Sequence, residues 1–167
     1  AYDWYNAQHA FLMSYDKRIQ RHPLDSCLYF IRDGTLTVYL VLHTDDYLCA
    51  TSDKAWYTSF FAAYNAVYPC TDQGVVSKFL GVYVTRDIVE GVLRMSQEGE
   101  IKRLIARYGC DRANPKSSPI ASGTSLVTGG VLDDSLSYRE LVGCLLWIAR
   151  NTRPDLLYAV VYHAQFT

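Results

Sequence analysis

Segment 27–50 restricts the fold more than any other part of the sequence, because apolar runs alternate in it with short polar turns. The runs are residues 27–32, 35–43 and 47–50, and their β-branched and aromatic side chains are typical of strands. Asp33 and Gly34 can supply both positive-φ positions of a type I′ turn, which predicts a β-hairpin over residues 27–43. A second turn at 44–46 reverses the chain again, so this segment predicts an antiparallel sheet.

Two amphipathic helices flank this sheet in the sequence. Residues 2–15 place apolar side chains at near-helical spacing. A second helix is predicted to begin after Thr51 or Ser52 as N-cap and to stop at Pro69. Its apolar stripe needs a sheet to cover, so we predict an α+β fold in which helices near 2–15 and 52–67 cover one face of the sheet.

The C-terminal half begins with a second pair of strand patterns. Residues 78–87 and 91–96 are predicted to be strands around a turn at 89–91. A helix is predicted between Glu98 and Gly109, because apolar residues recur there at helical spacing. The opposite face of this helix is basic, and its cations are Lys102, Arg103 and Arg107.

The remaining chain is predicted to be a long loop followed by two helices. Residues 110–136 are rich in Pro, Ser, Gly and Asp, the one change of composition that indicates a subdomain boundary. Helices are predicted at about 137–150 and 154–166. Pro154 suits the first turn of the second helix, and Asp155 interacts favourably there with the helix dipole.

Charge and cysteine usage exclude several classes of protein. The net charge is −1, so no global positive field indicates a polyanionic partner, and a nucleic-acid surface would have to be local. The five cysteines are odd in number and lack a C-x-x-C pair, which predicts reduced, mostly interior thiols in an intracellular protein. No apolar run approaches the roughly 20 residues of a membrane helix, and the N-terminus lacks a signal-peptide pattern.

The adjacent carboxylates of Asp45 and Asp46 have two interpretations. Aspartate is common in turns because its side chain bonds nearby backbone, so the pair could be simple surface decoration. The flanking strands, however, are apolar on both faces, which predicts a central position in a covered sheet, where surface decoration is less expected. Hard oxygen ligands suit Mg²⁺. Because neighbouring residues of an extended chain point to opposite faces, Asp45 is the stronger candidate ligand.

Five ordered blocks of the sequence resemble the reverse transcriptase of copia-type LTR retrotransposons, over essentially the whole chain. The blocks are "DSCLYF", "LVLHTDDYLCA", "KFLGVYV", "GVLRMSQ" and "YRELVGCLLWIARNTRPDLLYAV". The resemblance implies an α+β reverse-transcriptase-like palm over 1–96, truncated at its N-terminus, and a helical thumb over 97–167 with a loop at 110–136. It also implies that Asp45 and Asp46 are catalytic residues that bind two Mg²⁺ ions, or Mn²⁺, for nucleotidyl transfer from dNTPs.

The resemblance further implies a nucleic-acid surface. The blocks at 78–84 and 91–97 resemble the segment that grips the primer end. The basic helix resembles the start of the thumb, and the later helix resembles the one that follows the minor groove of the template-primer duplex. The residues assigned to this surface are Lys102, Arg103, Arg107, Arg139, Gly143 and Trp147. Each also has a plain interpretation: the cations as a solvated face, Gly143 as relief for helix packing, Trp147 as core. For residues 153–155 we favour a structural role as a helix start.

The sequence departs from the family in two respects. Family members carry another catalytic Asp upstream of the tryptophan that Trp4 resembles, and this sequence begins downstream of that point, so we expect an incomplete metal site and no polymerisation by the chain alone. The missing strand would leave an unpaired edge at strands 46–50 and 78–85. His43 and Thr44 replace the usual aromatic and small apolar pair. His43 is either a tolerated flank or a pH-sensitive contact to primer or phosphate.

The resemblance therefore predicts a fragment of an RNA-directed DNA polymerase of a copia-type retrotransposon. It implies as partners an RNA or DNA template with its primer, dNTPs, and the rest of a Gag-Pol-type polyprotein with fingers and RNase H, but no membrane. It implies a cytoplasmic location within retrotransposon particles. Two alternatives remain open: a catalytically silent nucleic-acid-binding or interaction module of the same fold, and a plain α+β domain whose acidic turn is decoration.

Overall fold

A computed structural model describes residues 2–126 and 137–166. The chain folds as two compact units, Ala1–Val76 and Ser77–Thr167, called here the N-terminal and C-terminal units. The predicted boundary between palm and thumb portions, at residues 96 and 97, falls within the C-terminal unit. The palm and thumb portions are defined by function rather than by compactness, so their boundary stays a prediction.

The N-terminal unit is one antiparallel sheet with two helices. In chain order its elements are α1 (Tyr2–Tyr15), β1 (Gln20–Arg21), β2 (Leu28–Arg32), β3 (Thr37–His43), β4 (Asp46–Thr51) and α2 (Lys54–Val67). The strands lie in the order β1-β2-β3-β4, and every neighbouring pair is antiparallel. The predicted α+β class, both predicted helices and the predicted strand succession are confirmed.

One face of this sheet forms the core of the unit. Along β3, Val38, Leu40 and Leu42 are buried, as the period of two in a strand requires. Leu12 of α1 and Phe60 of α2 pack in the same buried cluster, so the helices cover one face of the sheet, as predicted. The other face carries half-buried apolar residues of β2, β3 and β4 without a buried layer of its own. Strand β3, which leads into the acidic turn, is central in the sheet, as predicted, and within this unit the sheet is covered on one face.

Aspartate side chains determine two local features that the sequence analysis placed differently. The hairpin β2-β3 is confirmed, but its loop has four residues, and only Gly34 has a positive φ (87°), so the type I′ turn is wrong. Asp33 Oδ1 accepts hydrogen bonds from the backbone N–H groups of Thr35 (2.9 Å) and Leu36 (2.8 Å). Asp53, rather than either earlier residue, is the N-cap of α2 and accepts from Ala55 N–H at 2.7 Å.

Asp16 joins three parts of the N-terminal unit through its carboxylate. It pairs with Arg18 at 2.8 Å and accepts from the indole N–H of Trp56 in α2 at 3.1 Å. Arg18 also pairs with Asp33 of the hairpin loop at 2.8 Å. The hydrogen bonds from Arg18, first of all, lower the pKa of Asp16 to about 2. The network holds the end of α1, the hairpin loop and α2 together.

Acid is expected to destabilise the N-terminal unit through Asp16. Because the folded pKa lies below the unfolded value of 3.8, the stabilisation is complete above that value and is lost as the pH falls toward about 2. Asp16→Asn should therefore reduce the difference between the free energies of unfolding at about pH 5 and about pH 2.5, measured by urea unfolding and far-UV circular dichroism. Asp3→Asn removes an exposed carboxylate in the same unit and serves as control. An unchanged pH dependence in Asp16→Asn would contradict the assignment.

The C-terminal unit combines a small sheet with helices. In chain order its elements are β5 (Lys78–Phe79), β6 (Val82–Asp87), β7 (Val92–Ser96), α3 (Glu98–Arg107), α4 (Tyr138–Asn151), a 3-10 turn (Pro154–Leu156) and α5 (Leu157–Ala164). The strands lie antiparallel in the order β5-β6-β7. The predicted helices are confirmed, although α3 ends at Arg107 and α5 at Ala164. None of the described helices is long and apolar enough to cross a membrane.

The prediction of one continuous strand over residues 78–87 is wrong. Leu80 and Gly81 both have positive φ values (48° and 80°) and form a two-residue turn between β5 and β6. Two positive φ values are the signature of a type I′ hairpin, whose twist matches that of the flanking strands. The unpaired edge predicted at 78–85 is found at β5, the outermost strand of this sheet, whereas β6 has a strand on each side.

A buried hydrogen bond joins two of the sequence blocks in the C-terminal unit. The hydroxyl of Thr152, at the end of α4, donates to Gln97 Oε1 at 2.9 Å, and Gln97 is 1% exposed. Gln97 directly precedes α3, so the bond ties the end of α4 to the start of α3. Arg153 and Asp155 form an ion pair at 2.7 Å around Pro154, the first residue of the 3-10 turn. This confirms the structural role predicted for residues 153–155.

The five cysteines are free thiols, as the sequence predicts. Their predicted interior position is only partly correct, because two of them are exposed and three are half-buried. The exposed cysteines are Cys70 and Cys110, and the half-buried ones are Cys27, Cys49 and Cys144. Burial raises the pKa of the Cys49 thiol to about 11, which makes this group a poor nucleophile near neutral pH.

Candidate functional site

The acidic pair lies at a tight turn between β3 and β4. His43 and Asp46 are the last residues paired across the hairpin, so Thr44 and Asp45 alone form the loop. Both aspartates and His43 are exposed. Thr44 has a φ of 54°, whereas Asp45 has no positive φ, and these signs are those of a type II′ turn. Glycine normally occupies the first position of such a turn, and a threonine there costs on the order of 1–3 kcal/mol.

Helix α1 holds this turn from one side. The indole N–H of Trp4 donates to the backbone carbonyl of Thr44 at 3.0 Å, and the side-chain amide of Gln8 donates to the same oxygen at 3.4 Å. Gln8 is 2% exposed. The ring of Trp4 also packs edge-on against Tyr68, with the ring centroids 5.0 Å apart. In the sequence Trp4 served only as a family landmark, and Gln8 was not predicted, because its one signal is an amide on the apolar face of a helix.

The residue after the acidic pair anchors the hairpin in the core. Tyr47 packs edge-on against Tyr64 of α2, with the ring centroids 4.6 Å apart. Burial raises the pKa of both phenols above the ordinary value, so both rings stay neutral in the physiological range. Consequently the loop bearing Asp45 is fixed by α1 at Thr44 and by α2 through Tyr47.

The hairpin offers two carboxylates and no larger cluster. Among the residues that the structure describes, no group of three or more His, Cys, Asp or Glu side chains could hold a metal ion. Mg²⁺ accepts few protein ligands because it retains waters and shares substrate phosphates, so Asp45 and Asp46 suit it as a partial donor set. Further ligands would have to come from water, a phosphate or a carboxylate outside the described residues.

Strand β4 is the edge of its sheet. In the described N-terminal unit it pairs with β3 alone, so its outer backbone groups are unpaired, as predicted for residues 46–50. An edge of this kind accepts a further strand. A strand added here would run beside Asp46, the first residue of β4, which is where another ligand could join the acidic pair.

The three basic residues of α3 are exposed, but each already has an acidic partner. Lys102 pairs with Glu98 at 2.6 Å, Arg103 pairs with Glu100, and Arg107 binds both oxygens of Glu140 at 2.5 and 2.8 Å. Ion pairs on an exposed surface contribute little to stability, so phosphate could replace these carboxylates. The face is therefore not an array of free cations, although its charges stay accessible.

Gly143 and Trp147 lie on the open side of α4. Together with Leu146, Arg150 and Asn151 they line a shallow depression of about 430 Å³. Trp147 is 44% exposed, and a Cβ atom placed on Gly143 would meet no atom within 4 Å. The plain interpretations, close packing at Gly143 and a core position for Trp147, are therefore wrong. Val142 and Ala149, on the other side of α4, pack against Val160 of α5.

Arg150 was missed by the sequence analysis, although helical spacing points to it. It follows Gly143 by seven residues and Trp147 by three, so it projects from the same side of the helix. Arg139, which the resemblance assigns to the nucleic-acid surface, is exposed in the first turn of α4, and the described residues give it no ion-pair partner. The open side of α4 thus carries two arginines, one indole and a glycine that leaves the backbone accessible.

Comparison with known proteins finds similarity to retrotransposon polyproteins. The chain is 32% identical over 144 residues to the retrovirus-related Pol polyprotein from transposon RE1 of Arabidopsis thaliana. It is 27% identical over 151 residues to the retrovirus-related Pol polyprotein from transposon TNT 1-94 of Nicotiana tabacum. Both alignments cover 85% of this chain. The chain is similar to the Pol polyproteins of copia-type retrotransposons.

The matched region corresponds to a small part of those relatives. It spans 10% of the length of the RE1 polyprotein and 11% of the length of the TNT 1-94 polyprotein. No protein-family model matches the chain. No solved structure matches it either. The resemblance inferred from the five blocks is confirmed at the level of a retrotransposon Pol polyprotein.

Proposed function

We propose that this Pol segment forms the C-terminal part of a reverse transcriptase, an RNA-directed DNA polymerase that extends a primer on an RNA or DNA template. The observation that carries the proposal is the exposed pair Asp45 and Asp46 at a hairpin tip that two helices hold in place. Decorative turns do not need such anchoring, whereas ligands that must meet a primer end within a fraction of an ångström do.

In this proposal Asp45 and Asp46 would hold the divalent ions, Mg²⁺ or Mn²⁺. Two such ions activate the attacking oxygen of a primer and stabilise the leaving oxygen of a dNTP. The chain contributes the rigid support: β3 and β4 deliver the carboxylates, and α1 and α2 keep the tip from shifting. Because the tip supplies two carboxylates and no third, the isolated chain is expected to bind ions weakly and not to polymerise.

The C-terminal unit would bind the template-primer duplex. The open side of α4 presents Gly143, Trp147 and Arg150 to the minor groove, where the absent side chain at Gly143 permits close approach of the backbone. The cations of α3 would exchange their carboxylate partners for backbone phosphates. The rest of a Gag-Pol-type polyprotein, with fingers and RNase H, completes the enzyme inside cytoplasmic retrotransposon particles.

A metal titration tests this proposal. Adding Mn²⁺ to the isotope-labelled chain is expected to broaden the backbone amide signals of residues 44–47 first, because the paramagnetic ion relaxes nearby nuclei. Asp45→Asn should weaken this effect severalfold, because a neutral amide is a poorer ligand than a carboxylate. Glu90→Gln, which removes an exposed carboxylate of the C-terminal unit, is the control.

Two other outcomes are informative. Broadening that persists unchanged in both Asp45→Asn and Asp46→Asn would contradict the metal role. Duplex binding that weakens with salt, without any Mn²⁺ effect at residues 44–47, would favour the alternative of a catalytically silent nucleic-acid-binding module. That alternative draws on the same open side of α4, which needs no metal to contact a duplex.

A further inference from the structure

We propose that Trp4 and Gln8 are positioning residues that select one backbone form of the acidic turn. By holding the Thr44 carbonyl they fix the direction in which the Asp45 side chain leaves the hairpin. The part of this inference that concerns metal ligands rests on the proposed function. The part that concerns the backbone stands on the geometry of α1 and the turn alone.

The turn has two accessible forms. Types I′ and II′ both have a positive φ at the first loop residue, and they differ mainly by a rotation of the central peptide. In this hairpin the central peptide joins the carbonyl of Thr44 to the N–H of Asp45. A positive φ at Asp45 would mark type I′, and aspartate tolerates that conformation better than most residues. The observed turn is the other form, with a positive φ at Thr44 alone.

The contacts from α1 act on the central peptide itself. Trp4 Nε1 and Gln8 Nε2 both donate to the Thr44 carbonyl, at 3.0 and 3.4 Å. Rotating the peptide would turn this oxygen away and break both hydrogen bonds. Gln8 as a residue is only 2% exposed, so water could not replace the lost acceptor without opening the unit. The two donors therefore favour the type II′ form specifically.

The arrangement of the donors is itself rigid. Trp4 and Gln8 are four residues apart on α1, so they occupy one face of the helix. Leu12, a further four residues along, is fully buried in the core, which fixes this face of α1 against the sheet. The contact of Trp4 with Tyr68 holds the indole from the side of α2. Motion of the tip relative to the core is thereby restricted at its central peptide.

The experiment compares three variants of the full chain by NMR. Trp4→Phe keeps an aromatic ring but removes the indole donor, and Gln8→Met keeps the length of the side chain but removes the amide. Each is expected to shift the Thr44 carbonyl ¹³C signal and to strengthen the contact between the amide and α protons of Asp45, as a positive φ requires. Trp56→Phe removes an indole donor that serves Asp16 instead, and should leave Thr44 and Asp45 unchanged.

Metal binding provides the second measurement. If the unaltered chain binds Mn²⁺ at the tip, Trp4→Phe is expected to weaken that binding by about threefold to tenfold. A tenfold change in the dissociation constant corresponds to about 1.4 kcal/mol of binding free energy. Equal Mn²⁺ affinity in Trp4→Phe would overturn the positioning of the ligands while leaving the proposed function intact. If the unaltered chain does not respond to Mn²⁺, the proposed function fails, and the Asp45 backbone signals still decide the selection of the turn.

Unaltered Thr44 and Asp45 signals in both Trp4→Phe and Gln8→Met would overturn the inference. Because Gln8 is buried, its replacement could unfold the unit, which far-UV circular dichroism would reveal. Trp4 is 36% exposed, so Trp4→Phe is the gentler change and then decides alone.

Discussion

Replacing Leu40 with alanine is expected to lower the free energy of unfolding of the N-terminal unit by about 3 kcal/mol, within the ~2–5 kcal/mol found for such core truncations. Leu40 is fully buried at the middle of β3, a strand with neighbours on both sides. Its register partners are Tyr29 on β2, which is also fully buried, and Cys49 on β4. The helices and flanking strands that enclose this site can collapse only partly into the cavity, so most of the destabilisation caused by the truncation persists.

Val41→Ala is the matched control, because Val41 is the next residue of β3 and lies half-buried on the opposite face. Val41→Ala should lower the free energy of unfolding by clearly less than Leu40→Ala does. Both variants are best measured by urea unfolding in a Trp147→Phe background, where the remaining tryptophans, Trp4 and Trp56, both report on the N-terminal unit. Equal losses in the two variants would contradict the assignment of the core to the helix-covered face.

The helices and strands were predicted correctly where local residue patterns determine them. Alternating burial along β3 follows directly from alternating residues, and the helices α1, α2 and α3 follow from apolar spacing. The two-sided apolar character of the same strands does not mean that both faces are covered within the unit. Side chains such as Tyr39 and Val41 are half-buried without a second layer in their unit, because apolar atoms also make up much of an ordinary protein surface.

Turns were predicted less well, because several residues compete for each one. Asp33 and Gly34 suit a two-residue loop, yet Asp33 caps two later backbone N–H groups and so favours a longer loop. Leu80 and Gly81 looked like strand residues, since leucine rarely adopts a positive φ. Pairing of β5 with β6 stabilises the turn there, and that pairing is not visible in the residues of the turn.

In the candidate site, too, residues in local motifs were predicted, whereas contacts between residues distant in the sequence were not. The acidic pair was recognisable from its hairpin, and the spacing of Gly143 and Trp147 from their helix. The Trp4 contact to Thr44 spans 40 residues, and the pair of Arg107 with Glu140 spans 33. Contacts of this kind depend on how elements pack, so a single sequence provides no spacing rule that would reveal them.

Gly143 offers a second large effect, one in which stability and binding are expected to change in opposite directions. Gly143→Ala and Gly143→Leu should each raise the stability of α4 by about 0.5–1 kcal/mol, because glycine is a poor helix former and open space surrounds this position. In the proposed duplex site, however, only the leucine is large enough to fill the depression beside Trp147 and keep the backbone away from the groove.

Duplex affinity should therefore separate the two variants. Gly143→Leu is expected to weaken binding of a template-primer duplex by about tenfold or more, equivalent to 1.4 kcal/mol, whereas Gly143→Ala should bind nearly as well as the unaltered chain. Fluorescence anisotropy at about 50 mM salt provides the affinities, and thermal unfolding provides the stabilities. Because both variants are expected to be stabilised, a loss restricted to leucine cannot arise from unfolding. Unchanged affinity in Gly143→Leu would remove the open side of α4 from the nucleic-acid interface.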